Sequence, residues 1–220
     1  MTDVDPRSWW ALFVLVTLGL ISFATNLLPP TEEAQLGLAV LQQALFALAG
    51  CAGRLRRKST LPGKNMFGWG ISAGFGIYVV NRITGMLSQR IATELLGLEM
   101  VKTLLQREGG SAGMLLNSNK PLIFFGIVLL LILGAPLGEE LFFRGLLLNL
   151  WRERYGTKKA IFFSALTFAL LHFYLLQFIP VLIAGILLGL LYAHTKNIMV
   201  PIIAHSTVNS LVLLTWLLGL

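Results

Sequence analysis

Apolar residues fill this chain in long runs separated by short polar stretches. The runs cover about 9–28, 35–53, 66–87, 121–150, 158–173, 178–195 and 199–219. About 20 residues of helix cross the hydrocarbon core of a bilayer, so each run reads as a candidate span. Pro29-Pro30 ends the first run, and the basic stretch Arg54-Leu55-Arg56-Arg57-Lys58 ends the second. The third contains Gly68, Gly70, Gly74 and Gly76, which suits close helix packing in lipid. It also holds Asn81 and Arg82, which sets its end near the interface. In residues 88–120, Leu98, Leu104 and Leu105 are interspersed with Arg90, Glu94, Lys102 and Arg107. That mixture predicts an interfacial amphipathic helix, broken at Gly109-Gly110-Ser111. The expected fold class is all-α: a polytopic transmembrane helix bundle of about seven spans plus one interfacial amphipathic helix.

The fourth run is too long for a simple span. Thirty residues of helix reach about 45 Å, beyond a hydrocarbon core of about 30 Å. Pro136 lies inside it and lacks the N–H that a helix interior needs. This predicts a kink near Gly134-Ala135-Pro136 or a fresh helix start there. A fresh start would put Glu139 in a first turn, where the helix dipole favours an anion.

Composition sharpens this picture. The 220 residues are 56% hydrophobic and 12% charged, whereas soluble domains carry about 25% charged residues. The single cysteine, Cys51, excludes an internal disulfide and a multi-cysteine metal site. A net charge of +7 raises nucleic acid as a partner, but the basic residues sit in short loops between apolar runs. That is the pattern of cytoplasmic loops, so the expected partner is the lipid bilayer and not nucleic acid. The N-terminus opposes Asp3 and Asp5 to Arg7 and lacks a basic leader, so the first helix is expected to be retained. With the N-terminus inside, inner segments hold eleven Lys and Arg residues; outer segments hold four, or five with Arg82. The expected protein is therefore a multi-pass cell-membrane protein with a cytoplasmic N-terminus.

Chemistry concentrates in the second half. Gly138-Glu139-Glu140-Leu141-Phe142-Phe143-Arg144-Gly145 places two carboxylates and a guanidinium in an apolar segment. Charges at the bilayer centre cost about 2.5–3.5 kcal/mol each, so they need partners and mark function. Glu140 and Arg144 stand at i,i+4 with the acid first, the favourable order for a helical ion pair. Glu139 lies about 100° around the helix from Glu140 and faces elsewhere. Further on, His172 follows Phe168 by four, and Asn209 follows His205 by four. Read alone, the first set fits an interfacial salt bridge and the histidines fit structural hydrogen bonds or interhelical glue. Depth joins them. Counted from the inner helix ends, Glu139, His172, His205 and Asn209 lie at about 16, 21, 9 and 15 Å. A shared water-filled cavity is the economical reading.

A carboxylate and a histidine can together hold and deprotonate a water, and a second histidine with an asparagine can donate to an oxyanion. That is the equipment for amide hydrolysis. Glu139, His172 and His205 also make the two-histidine, one-carboxylate set of a hydrolytic zinc site, although no H-E-x-x-H spacing is present. Ser164 and Ser206 lack a G-x-S-x-G setting, and His194 reads as an interface histidine. A proton-linked transporter would be expected to show inverted repeats, and none is visible.

The three motifs together resemble the CPBP family of intramembrane peptidases, the CAAX proteases and bacteriocin-processing enzymes also called the Abi family. The family has E-E-x-x-x-R, here Glu139, Glu140 and Arg144; F-x-x-x-H, here Phe168 and His172; and H-x-x-x-N, here His205 and Asn209. Phe143-Arg144-Gly145, the Gly185/Gly189/Tyr192 spacing and Pro201-Ile202-Ile203-Ala204-His205 fit as well. The resemblance covers about 136–212. It implies an endopeptidase of glutamic type with no cofactor and no metal, acting on a membrane-associated peptide or protein. It implies that Glu139 and His172 activate water, that Glu140 pairs with Arg144, and that His205 and Asn209 form the oxyanion site. It further implies a division into 1–120, holding N-terminal transmembrane helices and the interfacial helix, and 121–220, a catalytic four-helix core of the CPBP type. A zinc-dependent version and a non-proteolytic immunity or scaffold protein of the same fold are the alternatives.

Overall fold

Where they are described, the long apolar runs fold as helix. The computed structural model describes residues 8–9, 11–17, 31–54 and 65–219. Residues 11–17 are helical. They are followed by α1 (Glu32–Arg54), α2 (Met66–Leu96) and α3 (Leu98–Leu116). Then come α4 (Pro121–Tyr155), α5 (Thr157–Leu170), α6 (Phe178–Thr195) and α7 (Met199–Leu217). Among the described residues there is no strand. The protein is an all-α, polytopic helix bundle.

Four of these helices are long and apolar enough to cross a membrane: α1 through Ala52, α4, α6 and α7. Their outward faces are apolar, as lipid requires. Leu122, Phe125, Leu129 and Leu133 form an exposed stripe at helical spacing on α4. On α2, Phe67, Phe75, Val79 and Ile83 do the same. The fifth expected span is shorter than foreseen, because α5 stops at Leu170 after 14 residues, about 21 Å of helix. The first expected span, 9–28, and the basic loop after Arg54 lie for the most part outside the described residues.

The segment after the third run differs from expectation. Residues 88–96 continue α2 rather than starting a new helix, and the break comes at Gly97. There φ is +82°, a conformation glycine adopts without the Cβ penalty. Gly109, Gly110 and Ser111 do not break α3, which runs on to Leu116. Glycine in a helix interior costs only about 1 kcal/mol relative to alanine, too little to stop a helix that tertiary contacts hold.

The core lies around α4. Phe142 and Phe143 pack with Phe46 of α1, at ring-centroid distances of 4.8 and 5.5 Å, and Phe143 meets Phe168 of α5 edge-on at 5.0 Å. Ala11 and Val14 close this cluster. On the other side, Ile77 of α2 packs with Ala184 and Leu188 of α6 and with Ala204 and Val208 of α7. Of the four glycines noted on the third run, Gly70 and Gly74 meet α7 at Ile203 and Ala204, whereas Gly68 and Gly76 face open space. The α1–α4 seam is equally close. A Cβ on Gly138 would stand 2.6 Å from the Gln43 carbonyl oxygen, so only glycine lets the two backbones approach there.

Candidate active site

Pro136 shapes the site. A helical residue at 136 would donate its N–H to the carbonyl of Ile132, and proline cannot. Neither a break nor a fresh start follows. Gly134 keeps helical dihedrals (φ −64°, ψ −51°), and Leu130–Gly134 widens into a π-turn in which the Ala135 N–H reaches back to the Leu130 carbonyl. This register shift leaves two carbonyls facing α7. Ser206 Oγ donates to Ile132 O at 2.6 Å, and Asn209 Nδ2 donates to Leu131 O at 2.8 Å. Ser206 thus supplies the donor that Pro136 lacks. Glu139 then falls inside the helix, not in a first turn.

Glu139, His172, His205 and Asn209 all line one cavity of about 650 Å³. Glu139 is 8% exposed. Its Oε1 accepts a hydrogen bond from Gln43 Nε2 of α1 at 3.2 Å, and its Oε2 stands 3.8 Å from His205 Nε2. His172 was expected at the end of a helical span, but it lies just past α5, in the turn at 171–173. Its Nδ1 is 2.7 Å from the Phe168 carbonyl, and its ring packs tilted against Phe168 at 4.5 Å. A carbonyl can only accept, so Nδ1 carries a proton, and in the neutral ring Nε2 then holds the lone pair. Phe173, the next residue, holds φ +54°, an uncommon conformation for a non-glycine residue and a sign of imposed local geometry.

Glu140 and Arg144 stand behind the cavity wall, each with 0% exposure. Arg144 Nη1 donates to Glu140 Oε1 at 2.8 Å, and Nη2 donates to the Gly185 carbonyl at 3.0 Å. The guanidinium carbon lies 5.0 Å from the Phe168 ring centroid, within cation–π reach. The same Glu140 oxygen receives His205 Nδ1 at 2.9 Å. The ion pair therefore also fixes the ring that faces Glu139. Nearby, Asn149 Nδ2 donates to the carbonyls of Arg144 and Gly145 and to the Tyr192 hydroxyl, which ties the stretch around Arg144 to α6.

Motif reading missed three contributors. Gln43 gave a signal, since Gln42-Gln43 interrupts an apolar span, but nothing linked it to Glu139. Tyr174 lines the cavity and packs edge-on against His172 at 5.6 Å. Burial, followed by the charges of Glu139 and Glu108, pushes its phenol above the ordinary tyrosine value, so it stays protonated and able to donate. Glu108 of α3 was hidden in a polar stretch. Its Oε1 accepts from the backbone N–H of Leu175 and Leu176, both at 2.7 Å, and its Oε2 from that of Gln177 at 3.1 Å. Three amides converging on one carboxylate form an anion nest, and this one clamps the segment that carries His172 and Tyr174.

Other candidates have other tasks. Ser164 Oγ donates to the Phe143 carbonyl at 2.9 Å, so it and Ser206 serve as backbone partners. His194 is exposed at the end of α6. Among the described residues, no three His, Cys, Asp or Glu side chains are grouped to hold one metal ion. Glu139, His172 and His205 form no such group as they stand; His172 and His205 each turn Nδ1 to a protein oxygen, an arrangement that a histidine bound to a metal through Nε2 also adopts.

Residues 121–211 match the family described as type II CAAX prenyl endopeptidase Rce1-like. The resemblance to CAAX proteases drawn from the motifs is borne out over that stretch, which contains all seven motif residues. No curated protein and no solved structure matches the chain.

Proposed function

From a segment of CAAX-protease type at residues 121–211, we propose that this membrane protein is an intramembrane endopeptidase of glutamic type. The observation that carries the reading is the convergence of Glu139, His172, His205 and Asn209 on one cavity inside a helix bundle. Cavities of 300–1,000 Å³ suit small ligands and short chain segments rather than folded domains. The substrate is a membrane-associated peptide or protein, and the matched family points to a prenylated C-terminal tail.

In this mechanism the Glu139 carboxylate and the His172 Nε2 lone pair hold a water. Glu139 takes its proton as the oxygen attacks the scissile carbonyl carbon. The carbonyl oxygen becomes an oxyanion. Asn209 has a second amide hydrogen beyond the one given to Leu131 O, and that hydrogen serves the oxyanion together with His205 Nε2. His205 can donate there only while protonated on both nitrogens, since Nδ1 serves Glu140. The proton on Glu139 passes to the leaving nitrogen as the C–N bond breaks, yielding a new carboxyl end and a free amine. Glu140 and Arg144 hold His205 and the helix in place. In this division of labour residues 121–220 carry the chemistry, while Gln43 and Glu108, from residues 1–120, shape the cavity wall.

The test is cleavage of a farnesylated CAAX peptide by purified protein in lipid nanodiscs. Glu139→Gln should fold with unchanged thermal stability and cut nothing, because the change removes only the capacity to take a proton. Asn209→Ala should keep some turnover, since loss of one oxyanion donor typically costs about 10²–10³. Dialysis against chelator should leave the rate unchanged. Loss of activity restored by zinc would move Glu139, His172 and His205 to a ligand role, and full activity in Glu139→Gln would remove the mechanism. A parent protein that cleaves none of a panel of prenylated, leader and sorting-signal peptides would put the immunity or scaffold reading ahead.

A further inference from the structure

Three charged side chains line the cavity: Arg107, Glu108 and Glu139. Two are engaged. Glu108 takes three backbone N–H groups, and Glu139 faces Gln43 and His205. The Arg107 side chain is exposed and makes no ion pair and no hydrogen bond with any described residue. Its backbone position is nonetheless set, because Glu108, the next residue, is bound to Leu175, Leu176 and Gln177, three to five residues after His172. The Arg107 backbone is thus anchored beside the cavity that contains Glu139, and its unopposed guanidinium lines that cavity. A guanidinium matches a carboxylate with two parallel N–H bonds, better than any other side chain. The wall of α1 adds neutral amides. Gln35 and Gln43 each present a buried Oε1 with no hydrogen-bond partner, an acceptor suited to a peptide N–H.

We propose that Arg107 binds the free C-terminal carboxylate of the substrate, so that the enzyme measures its cut from the chain end. The inference rests on the endopeptidase reading and adds what sets the cleavage position. The limited volume agrees, since about 650 Å³ holds a short peptide end and not a folded chain on both sides of the cut. A lipid headgroup would also satisfy a guanidinium on an interfacial helix. The peptide end is favoured because Arg107 shares its cavity with Glu139 and His172.

Binding separates this inference from the protease reading. The Glu139→Gln protein in nanodiscs is titrated with a fluorescent farnesylated CAAX peptide, once as the free acid and once as the C-terminal amide. The acid should bind at least about tenfold more tightly, the ordinary worth of a charge-assisted hydrogen bond. Adding Arg107→Gln should abolish that preference, and Arg107→Lys should keep part of it. In the cleaving parent, Arg107→Gln should raise KM for the acid with little change in kcat, and leave the amide unaffected. Equal binding of acid and amide, or binding of neither, would overturn the inference; equal binding with continued cleavage would do so while the protease reading stands. A preference for the acid in a protein that never cleaves would support the subsite and remove the protease. If Arg107→Gln changes only the response to anionic lipid in the nanodisc, the guanidinium serves a headgroup and the inference falls.

Discussion

Replacing Arg144 by leucine takes the cation from a pair whose two side chains both have 0% exposure. Glu140 would lose its 2.8 Å partner and keep only His205 Nδ1 at 2.9 Å, while the Gly185 carbonyl would lose its donor. Breaking a buried pair from one side costs about 3–5 kcal/mol, because an uncompensated charge is left behind. The lost bond to the Gly185 carbonyl and the lost contact over Phe168 each add roughly 1–3 kcal/mol, though such terms overlap and do not sum. For a chain of this size 1 kcal/mol moves the thermal midpoint by about 2–4 °C. Arg144→Leu should therefore melt on the order of 10 °C or more below the parent in detergent, followed by tryptophan fluorescence. Some of that loss is volume rather than charge. The double change Glu140→Leu with Arg144→Leu keeps the same space at 144 but leaves no charge buried, so it should recover much of the stability. It should still not cleave, since His205 Nδ1 then has no acceptor. An Arg144→Leu protein melting within about 2 °C of the parent, or a double variant no more stable than the single, would refute this reasoning.

Gln43→Leu should lower kcat about tenfold or more with KM and thermal midpoint nearly unchanged, as Glu139 loses the donor that aims it; an unchanged kcat would remove Gln43 from the positioning role. Glu108→Gln should cost on the order of 1–2 kcal/mol and speed hydrogen exchange at Leu175, Leu176 and Gln177, because a neutral amide cannot hold three N–H groups; unchanged exchange there would show that another contact holds the segment. Cysteines introduced at Lys58 and at Gly156 should both react only from the cytoplasmic side, as the clustering of Lys and Arg predicts. Labelling of the two from opposite sides would overturn the seven-span arrangement, and labelling of both from outside would overturn the N-inside orientation.

The linear pattern carried what depends on neighbours along the chain. Bilayer length and the period of a helix located α1, α4, α6 and α7 from their apolar runs. The contact of Glu140 with Arg144 was legible because i,i+4 neighbours on a helix must meet. The anomaly at Pro136 was legible too, but not its resolution. A missing N–H can be answered by a kink, a new helix or a widened turn. The π-turn at Leu130–Gly134 prevails because Ser206 and Asn209, some seventy residues away in sequence, satisfy the carbonyls it frees. The same limit hid Gln43 and Glu108. Each looked like an ordinary polar residue until packing brought α1 onto Gly138 and α3 onto the turn after His172. It also misplaced the helix break, since glycine codes for permission and not for a bend. Gly97 turns the chain where contacts demand it, and Gly109-Gly110 stays helical where they do not.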